Sequence, residues 1–531
     1  MIERRRPSAP LVAFALALVV ALGFALYTHH AWEDYWITFR ASKNLATGHG
    51  LVFNVGDRLH TFTSPLGVLL PAVASLLTAN SSDATALWIF RVMSAAALGG
   101  AAALLVLTAR QLNYGRVAAF FLVAWLVTDA KILDYTINGM ETAFMMVFLA
   151  YALWAHTRAA PRTWMHLGAA WAGLMWTRPD SFVYIGLIAA GFWLFQDPHA
   201  SGVTRKQLAG QFVRAALVTT ALYLPWLLFA HVYYGTIVPH TVDAKGGLGS
   251  AHTLVGFLTS TLQLPFEFSP QGSTQTRAFL PAYFMIGGWP PVLLTLAWLA
   301  GTLSILVWLV PRLRVETRVA SFAFFGAQAY LAYFPNNAYP WYLPSTTLLA
   351  FVAAGGLVQQ ASGRRATRWI ATGLAACSLG VAAWTTVQVA REVEAQQRVV
   401  EDGNRRKIGE WLRANAAAGQ TVFLEPLGYI GYYSGLKTYD FPGMSSREVV
   451  EARRLVGNDW DALIRHLHPD WLVLRPAEIA RLGARDSTLL RRDYAVAREF
   501  SVADDVAKLR VYGRLALMSD ARYTVFRSNR R

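Results

Sequence analysis

The chain is nearly without cysteine: it has one in 531 residues, Cys377, and that one stands inside an apolar segment. This excludes a disulfide framework and any metal site built on thiolates. Acidic side chains are also scarce, 32 Asp and Glu against 48 Lys and Arg, for a net charge of +16. Such an excess can signal nucleic-acid binding, but here many of the cations fall in short loops between apolar segments. There they act as an orientation signal, and nucleic acid is set aside as a partner. Internal repeats, low-complexity tracts and long flexible linkers are missing too. No small-residue cleavage pattern precedes Glu33, so Leu11 to Tyr27, although led by Arg4-Arg5-Arg6 in the manner of a signal peptide, reads as an uncleaved first helix.

What the chain has in excess is apolar surface. Hydrophobic residues make up 55% of it, with 19 Trp, more than one soluble core could use, and they arrive in blocks of membrane-spanning length. The fold class expected is an α-helical polytopic membrane protein, with eleven spans near 11–28, 85–109, 117–131, 141–157, 164–177, 181–196, 212–233, 285–310, 319–334, 341–359 and 369–389. A further apolar stretch, Ser64 to Leu77, is short and carries Pro65 and Pro71, and is expected to lie as a helix in the outer interface. With that stretch outside, Arg110/Arg116, Arg158/Arg162, Arg205/Lys206/Arg214, Arg312/Arg314/Arg318 and Arg364/Arg365/Arg368 all fall on the side of Arg4 to Arg6. The positive-inside rule makes that side cytoplasmic. The expected setting is a bacterial inner membrane with the N-terminus in the cytoplasm.

After about Ala390 charged residues become frequent. Strand-length apolar runs, Thr421 to Leu424, Trp471 to Leu474 and Leu509 to Tyr512, alternate with helical patterns at Asn404 to Asn415 and Ser446 to Leu455. The expected organisation is therefore a transmembrane domain over 1–390, with a first external loop at 29–84, followed by a soluble extracytoplasmic α/β domain over 391–531.

The polar chemistry gathers in the outer loops. Glu33 and Asp34 follow the first span directly, at a face where no nucleotide is available. A carboxylate there can take the proton from an acceptor hydroxyl as its oxygen attacks a sugar carbon. Two adjacent acids can instead ligate a hard divalent cation, or simply mark a helix end at the water interface. Glu141 and Asp180 each read as cavity-lining acids or as acids favoured by a helix start. His60 and His240 read as hydrogen-bonding residues or ligands for acceptor or metal. Tyr339-Pro340-Trp341-Tyr342 suits stacking on a sugar ring or an interfacial aromatic belt.

The first loop narrows these choices. Its run from Glu33-Asp34-Tyr35-Trp36-Ile37-Thr38-Phe39-Arg40 through Lys43-Asn44-Leu45 and Gly48-His49-Gly50-Leu51-Val52-Phe53-Asn54 to Thr61-Phe62-Thr63-Ser64 resembles the corresponding loop of the bacterial integral-membrane glycosyltransferases of the GT-C type. That family includes the terminal arabinofuranosyltransferase of mycobacterial cell-wall arabinan, and its pattern runs roughly D-D-A-Y-I-[ST]-F-R. The likeness continues at Asn138-Gly139-Met140-Glu141-Thr142, at Thr177-Arg178-Pro179-Asp180, and at Tyr233-Tyr234-Gly235 with Pro239-His240-Thr241 and Ala244-Lys245. It reappears at Trp411-Leu412-Arg413 and Gly428-Tyr429-Ile430-Gly431-Tyr432-Tyr433-Ser434-Gly435. Departures are Glu33 for the first Asp, Tyr35-Trp36 for Ala-Tyr, His60-Thr61 where an acid is usual, and His240 for Asn.

The resemblance implies a GT-C fold and an inverting transfer from a polyprenyl-phosphate sugar to a glycan or lipid acceptor in the bilayer setting. Asp34 is the expected base, with Glu33 assisting or binding a cation. Arg178, Lys245, Arg40 and Lys43 are the expected phosphate-binding cations. Glu141, Asn138, Asp180, His240, Tyr339 and Trp341 are the expected substrate contacts. No cofactor is required beyond a possible divalent cation. The competing readings are a transferase that modifies lipid A or protein and, from another class, a lipid or sugar transporter. A transporter should show inverted repeats and polar residues at mid-membrane, whereas here the polar motifs gather at one face.

Overall fold

The structure is a computed structural model that describes residues 8–158, 160–198, 202–246, 253–267, 273–334, 339–363, 365–483 and 488–529. Arg4 to Arg6, Arg364 and most of the Pro335 to Pro340 loop lie outside the described residues. Helices occupy every segment expected to span: α1 (Ala9–Thr28), α4 (Asp83–Gln111), α5 (Arg116–Thr128), α7 (Thr142–His156), α8 (Thr163–Thr177), α9 (Phe182–Phe195), then Arg205–Tyr234, Val292–Leu306, Val315–Tyr333, Leu343–Ala361 and Arg365–Ala395. Length and composition qualify six of the described helices to cross a membrane, or seven if a sharply bent pair counts as one span. Several of the remainder are 13 to 15 residues long, so that measure falls short of the eleven crossings expected. The protein is a multi-pass membrane protein on either count.

The bundle packs through small residues. On α1, Ala13, Ala17, Ala21 and Ala25 recur every fourth position and are buried, while Leu11, Leu16, Val19 and Leu26 face outward. This is the pattern of a helix that offers its backbone to a neighbour and its bulk to lipid. The apolar cluster it joins runs from Ala13 to Val393 and holds α4, α5, α7 and α8 together.

Two short helices fill the loop between α1 and α4. α2 (Glu33–Ala46) starts with two acids and carries Lys43 in its last turn, the charge order a helix dipole favours. α3 (Pro65–Leu77) starts with Ser64, whose hydroxyl accepts from the Gly67 amide at 2.8 Å, and with Pro65 in the first turn. Next to them α6 (Ala130–Ile137) meets α7 at a bend of 117°. The bend is made at Asn138-Gly139, where Gly139 has φ +99° and a Cβ would overlap the Tyr35 ring. The Trp32 amide donates to the Asn138 carbonyl at 2.8 Å, so this bend also anchors the entry to α2.

Beyond the Arg365–Ala395 helix the chain widens into a π-helical stretch, Gln396–Arg405, and continues as Arg406–Asn415. A five-stranded sheet follows, made of β1 (Thr421–Leu424), β2 (Lys437–Asp440), β3 (Trp471–Leu474), β4 (Tyr494–Ser501) and β5 (Arg522–Ser528), in the order β2-β1-β3-β5-β4. The first three strands run parallel; β5 is antiparallel to β3 and β4. Buried on both faces, β3 is apolar throughout, as central strands are. The expected strand at Leu509 to Tyr512 is corrected: that run is not a strand. Its apolar side chains are used elsewhere, Leu509 and Val511 against Val399 and Val400, and Tyr512 against Trp289 at 5.0 Å between ring centroids.

Gly139→Ala combines a strained left-handed conformation, about 1–3 kcal/mol, with overlap on Tyr35. It is expected to lower the melting temperature of the purified protein markedly, while Gly186→Ala, where the added Cβ meets nothing within 4 Å, leaves it nearly unchanged.

Candidate functional site

An α-helix turns 100° per residue, so adjacent positions face apart while i, i+3, i+4 and i+7 share a side. On α2 this sends Glu33, Trp36, Ile37 and Arg40 one way. Trp36 lies among Tyr429, Tyr432 and Tyr433, with centroids 4.8 to 5.4 Å away, and Ile37 joins the apolar cluster of β1, β3 and β5. Glu33 accepts from the Gly428 amide through one oxygen and from Arg405 Nη1 at 3.2 Å through the other. Arg405 also pairs with Glu401 at 3.0 Å and Asp520 at 2.9 Å.

Asp34 faces the other way. Its carboxylate makes no hydrogen bond or salt bridge among the described residues, and the charge that acts on it most is Lys245. Burial raises the Asp34 carboxyl above its ordinary value and Lys245 opposes the rise. Lys245 ends the short helix His240–Lys245, its ammonium 5.2 Å from the centre of the Tyr339 ring. Tyr339 stacks on Trp341 at 4.6 Å, and Trp341 meets Trp32 edge-on at 6.0 Å, giving an aromatic wall beside the start of α2.

Glu141 is near enough to Asp34 for their charges to interact. It contacts Arg178 Nη1 at 3.4 Å, while Asp180 takes Arg178 in a bidentate fork at 3.0 Å on both arms. The Arg178 guanidinium lies 4.2 Å over the Tyr342 ring. The structure thus brings Asp34, Glu141, Arg178, Asp180, Lys245, Tyr339 and Trp341 into one region, with Tyr342 and the buried Tyr135 hydroxyl, which has no hydrogen-bond partner among the described residues, added to it. Sequence reasoning left out those two tyrosines. Tyr342 stood in a motif read as a belt, and Tyr135 sits four residues before the Gly139 turn, where nothing distinguished it.

Other expected site residues are placed differently. Arg40 lies on the side of α2 away from Asp34: Nη1 donates to the Gly431 carbonyl at 2.7 Å and Nη2 to that of Leu436 at 3.0 Å, at the C-terminal end of the Gly428–Ser434 helix. Lys43 donates to the Asn80 carbonyl and to Asp83, each at 2.8 Å. Asn138 is buried, its side chain engaged by Asp134 at 3.3 Å and the Met140 amide at 3.2 Å. The His240 ring meets the Gly443 carbonyl at 3.0 Å, and His60 stacks on Tyr234 at 4.6 Å, its imidazole pushed down to about 4 by burial.

The acid pair does not offer two ligands to one cation, since both Glu33 oxygens are engaged. Among the described residues no group of three or more His, Cys, Asp or Glu could hold a metal ion.

Comparison with known proteins adds three findings. A family model described as a domain of unknown function, DUF8728, matches residues 388–526. The terminal beta-(1->2)-arabinofuranosyltransferase of Corynebacterium glutamicum is 26% identical over 274 residues, 45% of this chain and 37% of that protein. Its counterpart from Mycobacterium tuberculosis is 26% identical over 281 residues, 48% of this chain and 42% of that protein. The match thus spans less than half the length of either relative. The crystal structure of ArnT from Cupriavidus metallidurans bound to undecaprenyl phosphate superposes with a TM-score of 0.54 over 97% of both chains at 14% identity, which shows a shared fold. These likenesses support the resemblance to GT-C glycosyltransferases drawn from the motifs.

Burial pushes the Glu33 carboxyl from 4.5 up to about 7, against the pull of Arg405. The folded protein therefore holds this proton more tightly than the unfolded chain. The associated stability is whole below 4.5 and is lost as pH rises through about 7. Across that interval the melting temperature of Glu33→Gln is expected to fall less than that of wild type; equal slopes would contradict the assignment.

Proposed function

We propose that this GT-C membrane chain, related to terminal arabinofuranosyltransferases, is a glycosyltransferase that moves a sugar from a polyprenyl-phosphate donor to a glycan or lipid hydroxyl, with inversion. The single observation that carries the reading is Asp34: a carboxylate at the first turn of α2, uncommitted among the described residues, within the field of Lys245. Asp34 takes the acceptor proton as the acceptor oxygen attacks the anomeric carbon. The bond from that carbon to the donor phosphate breaks on the opposite side, and polyprenyl phosphate leaves with the electron pair.

Lys245 supplies the point charge for that phosphate. Arg178 contributes through Nη1, whose 3.4 Å contact to Glu141 is the longest of its three. Glu141 and Asp180 hold Arg178 and, with Tyr339 and Trp341, border the sugar. The raised carboxyl of Asp34 suits a base that must accept a proton near neutral pH. The site opens at the extracytoplasmic face of a bacterial inner membrane, with the N-terminus cytoplasmic. The chain divides into a transmembrane unit over 1–390 and an extracytoplasmic α/β unit over 391–531.

Asp34→Asn preserves shape and removes the base, and should lower transfer from the correct donor by about 10²–10⁴-fold without altering membrane insertion. The check is product formation by purified wild type and variant on a panel of polyprenyl-phosphate sugars. Undiminished transfer by the variant would sink the reading.

A further inference from the structure

The α/β unit after residue 395 holds both elements that carry the reacting groups. Toward α2 it presents Arg405 on Glu33 Oε2 at 3.2 Å, the Gly428 amide on Oε1, and the tyrosine cage around Trp36. Just before α2, the Ala31 amide donates to Gln397 Oε1 at 2.9 Å and the Ala31 carbonyl accepts from the Tyr429 hydroxyl at 3.0 Å. At position 428 a Cβ would run into the Glu33 carbonyl, so the close approach requires glycine.

Toward the Lys245 helix the same unit presents two more bonds. Arg453 Nη1 donates to the Ala244 carbonyl at 2.6 Å while also gripping the Pro442 carbonyl at 2.8 Å. The His240 ring meets the Gly443 carbonyl at 3.0 Å, and the His240 amide donates to His60 in the first external loop at 2.8 Å. Asp34 and Lys245 each sit one residue from an atom held in this way. They belong to segments over 200 residues apart in the chain, and a third segment sets both.

The geometry points to an aligning role for the α/β unit: resting on the reading of Asp34 as base and Lys245 as phosphate cation, Arg405 and Arg453 are positioning residues that fix those two groups against each other. Arg405 acts through Glu33 on the first turn of α2. Arg453 acts through the Ala244 carbonyl on the last turn of the Lys245 helix. The two arginines therefore have separable effects, one on the chemical step and the other on donor binding, because misplacing a reacting group by a fraction of its bond length costs rate without removing any contact to the donor.

The test uses the full-length protein in detergent or nanodiscs, with Arg405→Gln, the charge-preserving Arg405→Lys, and Arg453→Gln. Hydrogen exchange is expected to rise over residues 31–46 in the Arg405 variants and over residues 234–246 in Arg453→Gln, with α4 and α7 unchanged. With the active donor, the Arg405 variants should lose kcat by about 100-fold at little change in donor KM. Arg453→Gln should chiefly raise donor KM. Arg405→Lys keeps a cation on Glu401 and Asp520, so it serves if Arg405→Gln does not fold. Folded variants that keep wild-type exchange in both segments would overturn the inference, as would wild-type kinetics in all three. If exchange changes as expected and wild type transfers no sugar from any donor, the tethering of the two segments stands, while the proposed function and the catalytic positioning that rests on it both fall.

Discussion

Everything where the helical bundle meets the α/β unit depends on the pitch of one fourteen-residue helix. Because successive residues on α2 point 100° apart, two adjacent acids cannot share a task. Glu33 turns into a nest of charge made by Arg405, Glu401 and Asp520, and becomes part of the joint between the bundle and the α/β unit. Asp34 turns away from it, into the region of Lys245 and Glu141, and stays uncommitted. Removing the arginine from such a buried cluster costs about 3–5 kcal/mol, since it leaves the buried Glu401 without its cation. The joint is therefore strong enough to hold the helix in one rotation, and that rotation decides which acid faces the chemistry.

The same helix also fixes where its cations point. Arg40, two turns on from Glu33, lands on the same side and is used up by carbonyls at the end of the Gly428–Ser434 helix. Lys43 completes the packing against the start of α4 through Asp83. The positive charge left for the site comes from other elements, Lys245 from the helix after Pro239 and Arg178 from the break between α8 and α9. A site assembled from five separate segments needs something to align them, and the bend at Gly139 and the contacts of the α/β unit tie α2 and the Lys245 helix in place.

Much of this was legible in the amino-acid order. Runs of apolar residues placed helices at every segment expected to span, and the alternation after Ala390 located β1 and β3 to the residue. Asp34, Glu141, Arg178 and Lys245 were singled out from their motifs and lie together. The partners of Arg40 were not legible, because Gly431 and Leu436 stand nearly 400 residues away and are met through carbonyls that any side chain could carry. Leu509 to Tyr512 looked like a strand because its apolar residues need cover, yet they are half-buried against the cluster of the π-helical stretch and against Trp289 without joining a ladder. Hydropathy finds a need for burial but not the surface that meets it.

The central claim is that α2 has a tethering face and a working face. A structure of the protein with polyprenyl phosphate bound locates the donor phosphate directly. The account predicts density for that phosphate beside Lys245, on the Asp34 side of α2, with Arg405 still on Glu33. Phosphate bound at Arg40 and Lys43, with the α/β unit displaced from them, would contradict it.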